Sequence, residues 1–316
     1  MKQLLSVPAS NQSFGLQAMT EEIHATFQIE SIRSSRNSIR HILNGYAPRN
    51  EEESRIYGMK RGLDFIADRQ NAITEENLHQ LYQISSGDYL PDEDRLLPDH
   101  FYRHDHVYVV GGEESREGLP AQQLPDAMKR LVDFTNAKDG INELHKAAIL
   151  HFAFAYYHPY FDGNGRTARL LHLWYLVQQG YPAALFTPFS RYIAESKSAY
   201  YKAYARVEKN ALTSGYTDVT PFLSYFCNEV YNRLQVDVIP PQADLQVYQT
   251  ALANGKITEK ERLLWEYVLS AYGTEEFTTK QLEKDFRNAA YATIRTFVMK
   301  FHEMGLLATG KAGNRV

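Results

Sequence analysis

A mainly α-helical chain with one short β-hairpin and a small C-terminal helical module is what the 316 residues predict. Three observations carry this. Apolar residues recur at three- and four-residue steps through most of the chain, the period of an amphipathic helix. One stretch, His100 to Gly112, alternates and ends in glycines, which marks a hairpin. Late in the chain Ile239-Pro-Pro-Gln breaks the helical pattern, predicting a linker at 239–255 ahead of residues 256–316.

Composition narrows the class. A net charge of −4 does not suit a protein whose main work is coating nucleic acid or a membrane. Cys227 is the single cysteine, which excludes an intramolecular disulfide framework and fits a reducing cytoplasm. With Tyr225 and Phe226 beside it, it reads as a buried structural thiol. There is no run of 18 apolar residues, and Met1–Leu5 gives way at once to Pro8, Asn11 and Gln12, so neither a membrane span nor a signal peptide is expected.

Residues 1–15 are polar and read as a loose arm. Leu16, Met19, Ile23, Phe27 and Ile29 open a helical pattern that reaches about residue 33. Helices follow at 51–67 and 74–86, the second with Thr74 as N-cap and Glu75 and Glu76 in its first turn. After the hairpin, Pro125 opens a helix to about Asn136, and Asn142–Tyr157 forms another. The next helix begins behind Gly165 and runs to Gly180, a C′ residue with Pro182 beyond it. Ser190 is expected to cap the helix carrying Tyr192, Tyr200, Tyr201 and Tyr204, and Thr220-Pro221 to start the last helix of the large region, to about Val236. Thr258 and Glu261 form a capping box for a helix to Tyr272, and helices at 279–286 and 291–304 follow, the last stopped by Gly305 ahead of a small hairpin at 306–316. His104, His106, His145 and His151 read as ordinary loop and helix histidines rather than metal ligands.

The segment His158-Pro-Tyr-Phe-Asp-Gly-Asn-Gly-Arg-Thr-Ala-Arg169 carries the chemistry. Gly163, Asn164 and Gly165 can expose backbone N–H groups at a helix N-terminus, which makes an anion cradle. Arg166 and Arg169, three apart, can face one bound anion. Asp162 at its mouth is a hard oxygen donor suited to Mg²⁺ against phosphates, and His158 has a side chain suited to taking a proton near neutrality. An EF-hand loop from Asp162 would need glycine and glutamate where Thr167 and Leu173 stand. The dinucleotide fingerprint lacks its acidic residue, since no Asp or Glu falls between Asp162 and Glu195, and no P-loop lysine follows the glycines.

This segment resembles the signature of the Fic (filamentation induced by cAMP) family, His-Pro-Phe-x-Asp-Gly-Asn-Gly-Arg-x-x-Arg, with Tyr160 at the Phe position. Eight other positions agree; at about one in twenty per position, chance would produce this in such a chain with a probability of roughly 10⁻⁸. The resemblance extends from about Thr26 to Tyr231 and includes Phe101-Tyr102-Arg103 and Gln179-Gly180-Tyr181-Pro182. Thr26-Phe-Gln-Ile-Glu30-Ser31 is similar to the family's inhibitory motif, Ser/Thr-x-x-x-Glu-Gly/Asn, with Ser31 departing from it; the plain alternative is an exposed helix glutamate.

The resemblance implies an N-terminal helical region at 1–99 with an inhibitory helix at about 16–33, and a Fic-type helical core with a β-hairpin flap at 100–238. The module at 256–316 resembles a winged helix-turn-helix. The Fic resemblance implies a protein adenylyltransferase that moves AMP from ATP to a Tyr, Thr or Ser hydroxyl of a target protein aligned on the flap, or of the protein itself. His158 would be the general base and Asp162 the Mg²⁺ ligand. Gly163, Asn164, Gly165, Arg166, Thr167 and Arg169 would bind phosphate, with Tyr201 and the flap residues Val109 and Val110 near adenine and Glu30 inhibitory. Other readings stay open: transfer of another group, AMP removal with Glu30 positioning water, or a DNA-binding regulator sensing nucleotide. The C-terminal module carries ten Lys/Arg against eight Asp/Glu, modest for a DNA reader, so protein docking or homo-oligomer support is the alternative use.

Overall fold

The structure, a computed structural model of the chain, describes residues 16–110, 115–181, 184, 187–234, 242–272 and 276–310. The chain divides into two compact units, one holding Ala18–Gln235 and the other Val236–Val316. The arm at 1–15 and the Ile239-Pro-Pro-Gln segment lie outside the described residues.

In the first unit α1 (Leu16–Ile29) buries Met19, Ile23 and Phe27, four residues apart, on one face. It ends four residues earlier than the periodicity suggests. Ser31 turns left-handed at φ 59°, and the amides of Ser31 and Ile32 reach back to the carbonyls of Gln28 (3.2 Å) and Phe27 (2.9 Å). That pair of bonds is a Schellman C-cap with Glu30 as the capping residue, a geometry that glycine or asparagine adopts most readily at the position after the cap. A serine there tolerates a conformation that costs an L-residue about 1–2 kcal/mol.

A short helix the pattern missed, α2 (Arg36–Leu43), follows, with only Ile39 and Ile42 buried. Next come α3 (Glu51–Ala67) and α4 (Glu75–Ser85); Asn50 and Thr74 cap them by accepting from the amides of Glu53 and Asn77. The hairpin consists of β1 (Tyr108–Val110) and β2 (Ser115–Glu117), antiparallel, with Val109 opposite Arg116. Its second strand lies beyond the glycines that were expected to end it.

Helices α5 (Leu124–Asn136), α6 (Glu143–Tyr157) and α7 (Asn164–Gln178) complete the path to the motif. α7 is buried on every side from Arg166 to Val177, which is why its sequence reads apolar without a polar face. It packs against α3, α4 and α6, and Trp174 donates from Nε1 to the Asn71 carbonyl at 3.0 Å. Gly180, at φ 84°, closes it.

Behind α7 come α8 (Phe189–Glu195), α9 (Lys197–Ser214) and α10 (Thr220–Tyr225), which passes into a π-helical segment at Phe226–Tyr231. The expected single helix after residue 190 is two, and Ser190 does not cap it: Pro188 holds the N-cap position. His151 is buried and hydrogen-bonded to Tyr200 OH at 2.8 Å, the ordinary helix histidine expected. Cys227 is only partly buried, with Sγ 3.8 Å from His145 Nε2, which corrects the expected buried thiol.

The second unit holds α11 (Gln242–Ala253), α12 (Glu259–Ala271), α13 (Thr279–Phe286) and α14 (Tyr291–Glu303). Its core gathers Leu264, Trp265, Val268, Leu282, Ile294, Phe297 and Phe301. The Thr258–Glu261 capping box forms as expected, and Lys300 pairs with Glu261 at 2.7 Å. Most of the expected linker is helix α11. The expected wing has no strand in 306–310, and 311–316 lie outside the described residues. No helix among the described residues is long and apolar enough to cross a membrane.

Candidate functional site

The candidate site sits where α6 ends and α7 begins. His158 caps α6 in the left-handed region (φ 54°, ψ 61°), its amide donating to the Phe154 carbonyl at 3.1 Å. A non-glycine residue there is strained by about 1–3 kcal/mol and persists only where its surroundings hold it. Several groups do so. Asn164 is buried and spends both ends of its side chain on Tyr160, accepting from its N–H at 2.9 Å and donating to its carbonyl at 2.8 Å. The Tyr160 ring lies flat on Tyr82, centroids 3.5 Å apart, so the aromatic that replaces Phe keeps an anchoring role.

His158 Nδ1 lies 3.3 Å from the Ala155 carbonyl, and a carbonyl can only accept. The ring therefore carries its proton on Nδ1 and presents a bare Nε2. Burial, then the nearby Arg116 charge, lowers its pKa to about 4. This is far below the near-neutral value expected from sequence, and it leaves the imidazole neutral and proton-accepting at physiological pH.

Gly163 opens α7 from a left-handed conformation (φ 80°) and supplies no side-chain cap. The first amides of the helix therefore have no intrahelical acceptor and point along its positive end. Asp162 is half exposed; its Oδ1 accepts from Gly163 N at 2.6 Å and its Oδ2 from Arg166 Nη2 at 2.9 Å. Thr167 does not face this opening, because its hydroxyl and amide both go to the Gly163 carbonyl, at 2.9 and 3.0 Å. Both Asn164 and Thr167, expected as phosphate contacts, thus turn their side chains inward to build the loop. Asn164 can offer a ligand only its backbone.

Both arginines are buried. Arg166 Nε donates to Glu30 Oε2 at 2.8 Å, and Arg169 Nη2 donates to Glu30 Oε1. Arg169 also donates from Nε to Thr26 Oγ1 at 2.6 Å. Glu30 thus bridges the two guanidinia. Arg166, Arg169, Asp162 and Glu30 form a neutral cluster, and without the Glu30 carboxylate it would be net positive.

One turn and two turns before Glu30, the same face of α1 carries Thr26 and Glu22. Glu22 is buried, accepts from Ser190 N at 2.9 Å and from the Ser190 hydroxyl, and burial raises its pKa. Nothing in the sequence signalled this contact; the four-residue spacing Glu22–Thr26–Glu30 could only have placed Glu22 on the same helix face as Thr26 and Glu30. Tyr201 packs beside the same turn, its hydroxyl 3.5 Å from the Ile29 carbonyl. Val109 is half-buried on β1, and the side chain of Val110 lies outside the described residues. Arg103 and Arg116 were also missed as site residues. Arg116 on β2 donates to the carbonyls of Tyr156 (2.9 Å) and Ala155 (3.1 Å) and pairs with Glu208 at 2.7 Å.

The model of the Fic/DOC family matches residues 72–176. The protein adenylyltransferase fic-1 of Caenorhabditis elegans is 30% identical over 126 residues, covering 32% of this chain and 25% of the relative. The protein adenylyltransferase Fic of Drosophila willistoni is 29% identical over 140 residues, covering 43% and 26%. The chain thus spans about a quarter of the length of these curated relatives. Among solved structures, a Fic family protein from Desulfovibrio desulfuricans superposes with a TM-score of 0.59 at 18% identity, over 90% of this chain and 80% of that one. Residues 134–508 of Fic-1 from C. elegans superpose with 0.55 at 21%, over 74% and 67%. The fold is therefore that of Fic proteins, and the chain carries a Fic/DOC family domain.

Proposed function

We propose that the protein is an adenylyltransferase that moves AMP from ATP to a protein hydroxyl, and that Glu30 restrains it. The observation that carries this is the juxtaposition of a neutral imidazole with a bare Nε2, an uncapped helix N-terminus and two buried arginines held by one displaceable carboxylate. The relatives' names, protein adenylyltransferase, support the same reaction.

In this reading the first amides of α7 bind the phosphates, and Arg166 and Arg169 take the β/γ end once Glu30 has left. The hydroxyl of a target strand laid along the hairpin attacks the α-phosphorus in line, and the bond to pyrophosphate breaks. The hydroxyl proton passes to His158 Nε2. Among the described residues no group of three or more His, Cys, Asp or Glu could hold a metal. A half-exposed single carboxylate fits Mg²⁺, which is held largely by water and phosphate oxygens, so Asp162 would be its ligand. The metal would supply charge neutralisation at the phosphates. Tyr201 and the hairpin residues Val109 and Val110 are the proposed adenine neighbours.

Intact-protein mass spectrometry after incubation with ATP and Mg²⁺ tests the reading, with Glu30→Gly as the released form and His158→Ala as the control. One or more AMP groups gained by Glu30→Gly and absent from His158→Ala is the expected result. No gain by either wild type or Glu30→Gly would overturn it.

A further inference from the structure

The hairpin and the His158 turn are tied together by one buried side chain. Arg103 is 2% exposed, and all three of its guanidinium hydrogen bonds go to carbonyl oxygens. Nε donates to His158 O at 2.8 Å, Nη1 to Asp105 O at 2.6 Å, and Nη2 to Leu119 O. Its own amide donates to Pro159 O at 2.9 Å. Asp105 and Leu119 flank the hairpin on either side, ahead of β1 and behind β2, while His158 and Pro159 belong to the motif turn. Two backbone contacts run beside this link: Leu119 N to Tyr157 O at 3.2 Å and Gly118 N to Val107 O at 3.0 Å. The approach is close, since a Cβ on Gly118 would come within 2.8 Å of Arg103 Nη2 and 3.4 Å of His158 Cβ.

Such an arginine is poor value as a stabiliser. Burial works against its charge, none of its hydrogen bonds reaches a carboxylate, and an apolar side chain of similar volume would avoid the desolvation cost. What an apolar side chain could not do is hold three backbone segments at fixed spacing through a planar fork. One of these carbonyls belongs to the strained residue that carries the base.

We infer that Arg103 is a positioning residue of the transfer reaction: it fixes the left-handed His158 turn relative to both ends of the hairpin, and so sets the distance between Nε2 and a hydroxyl presented on that hairpin. The inference rests on the adenylyltransferase reading. Arg103 touches no phosphate-binding group, so its effect belongs to the chemical step and not to ATP affinity. A misplacement on the order of 1 Å costs about 10²-fold in rate.

The test uses the full chain in the Glu30→Gly form, with Arg103→Lys and Arg103→Gln added. Lysine keeps the charge and the aliphatic stem but has no fork to span the carbonyls, so it remains informative should the glutamine variant fail to fold. Self-modification is followed in single turnover at saturating labelled ATP, and ATP affinity by calorimetry. The expected result is a rate about ten- to a hundredfold lower in Arg103→Lys with ATP affinity changed by less than about threefold. A rate within about threefold of the parent, or a loss matched by an equal loss of ATP affinity, overturns the inference. If the Glu30→Gly parent itself transfers no AMP, the adenylyltransferase reading has failed, and the positioning role falls with it.

Discussion

A methyl group on Gly165 would lie 2.5 Å from Glu30 Oε1, so the carboxylate at the end of α1 rests directly on the first turn of α7. The clash falls on the tip of a flexible side chain, and Gly165→Ala should therefore fold normally while pushing Glu30 away. The same methyl would stand in the proposed phosphate path. ATP binding by calorimetry should weaken at least about tenfold, in both the wild-type and Glu30→Gly forms. Unchanged ATP affinity would show that the phosphates do not pass over Gly165.

Glu30→Gly should raise AMP transfer. Each charge-assisted contact from Glu30 to an arginine contributes roughly 1.5–3 kcal/mol, and even one such contact corresponds to about ten- to a hundredfold in productive binding. Arg169→Ala should not be rescued by Glu30→Gly, because the arginine would then be missing from the phosphate. Labelled-ATP transfer over a range of Mg²⁺ and ATP concentrations decides this. A Glu30→Gly protein no faster than wild type would remove the inhibitory role.

His158 is held near a pKa of about 4 by burial first and the Arg116 charge second; Arg103 adds to the lowering, while the Ala155 carbonyl and Asp162 oppose it. A base must be neutral to accept a proton, so the acid limb of the transfer rate should fall near this value and not near neutrality. Arg116→Gln removes a positive charge that disfavours imidazolium, so the His158 pKa and the acid limb should both move up. Proton NMR titration of the His158 ring alongside the rate profile checks both, and a downward or absent shift would discount the Arg116 charge.

Glu22 is the one acidic group that α1 buries against α8 through Ser190. Burial, opposed by the Ser190 contacts and the Arg169 charge, leaves its pKa above the ordinary 4.5. A raised pKa means the stability linked to this group is complete below the ordinary value and is lost as pH rises through the folded one. Glu22→Gln can keep both Ser190 contacts without the charge. The variant should match wild type near pH 4.5 and exceed it at pH 8, a comparison that denaturant unfolding at the two pH values measures directly. A glutamine variant that loses more stability at the higher pH would show that the ionised carboxylate is favoured in the fold.

The motif residues, the caps at Thr74 and Thr258, and helix α3 were legible in the sequence because their signals are short-range. A capping hydroxyl acts within three residues, and a helical apolar stripe repeats within four. α2 escaped because its eight residues carry only two buried apolar side chains, and α11 because the adjacent Pro-Pro signal was extended into it as linker.

The sequence by itself determined that a histidine, a glycine-flanked turn and two arginines share one segment, and that a Thr-x-x-x-Glu pattern lies far upstream. Tertiary structure alone decided what each side chain does there. It turned Asn164 and Thr167 inward to close the loop, set Glu30 across two guanidinia 136 and 139 residues away, and drew Arg103 to a carbonyl 55 residues distant. It also shifted the His158 pKa down, since that shift comes from burial and from Arg116 on another element. The physical reason is one of range: backbone propensity and periodicity act over a turn of helix, whereas desolvation, charge pairing and side-chain hydrogen bonds depend on which distant segments the core brings into contact.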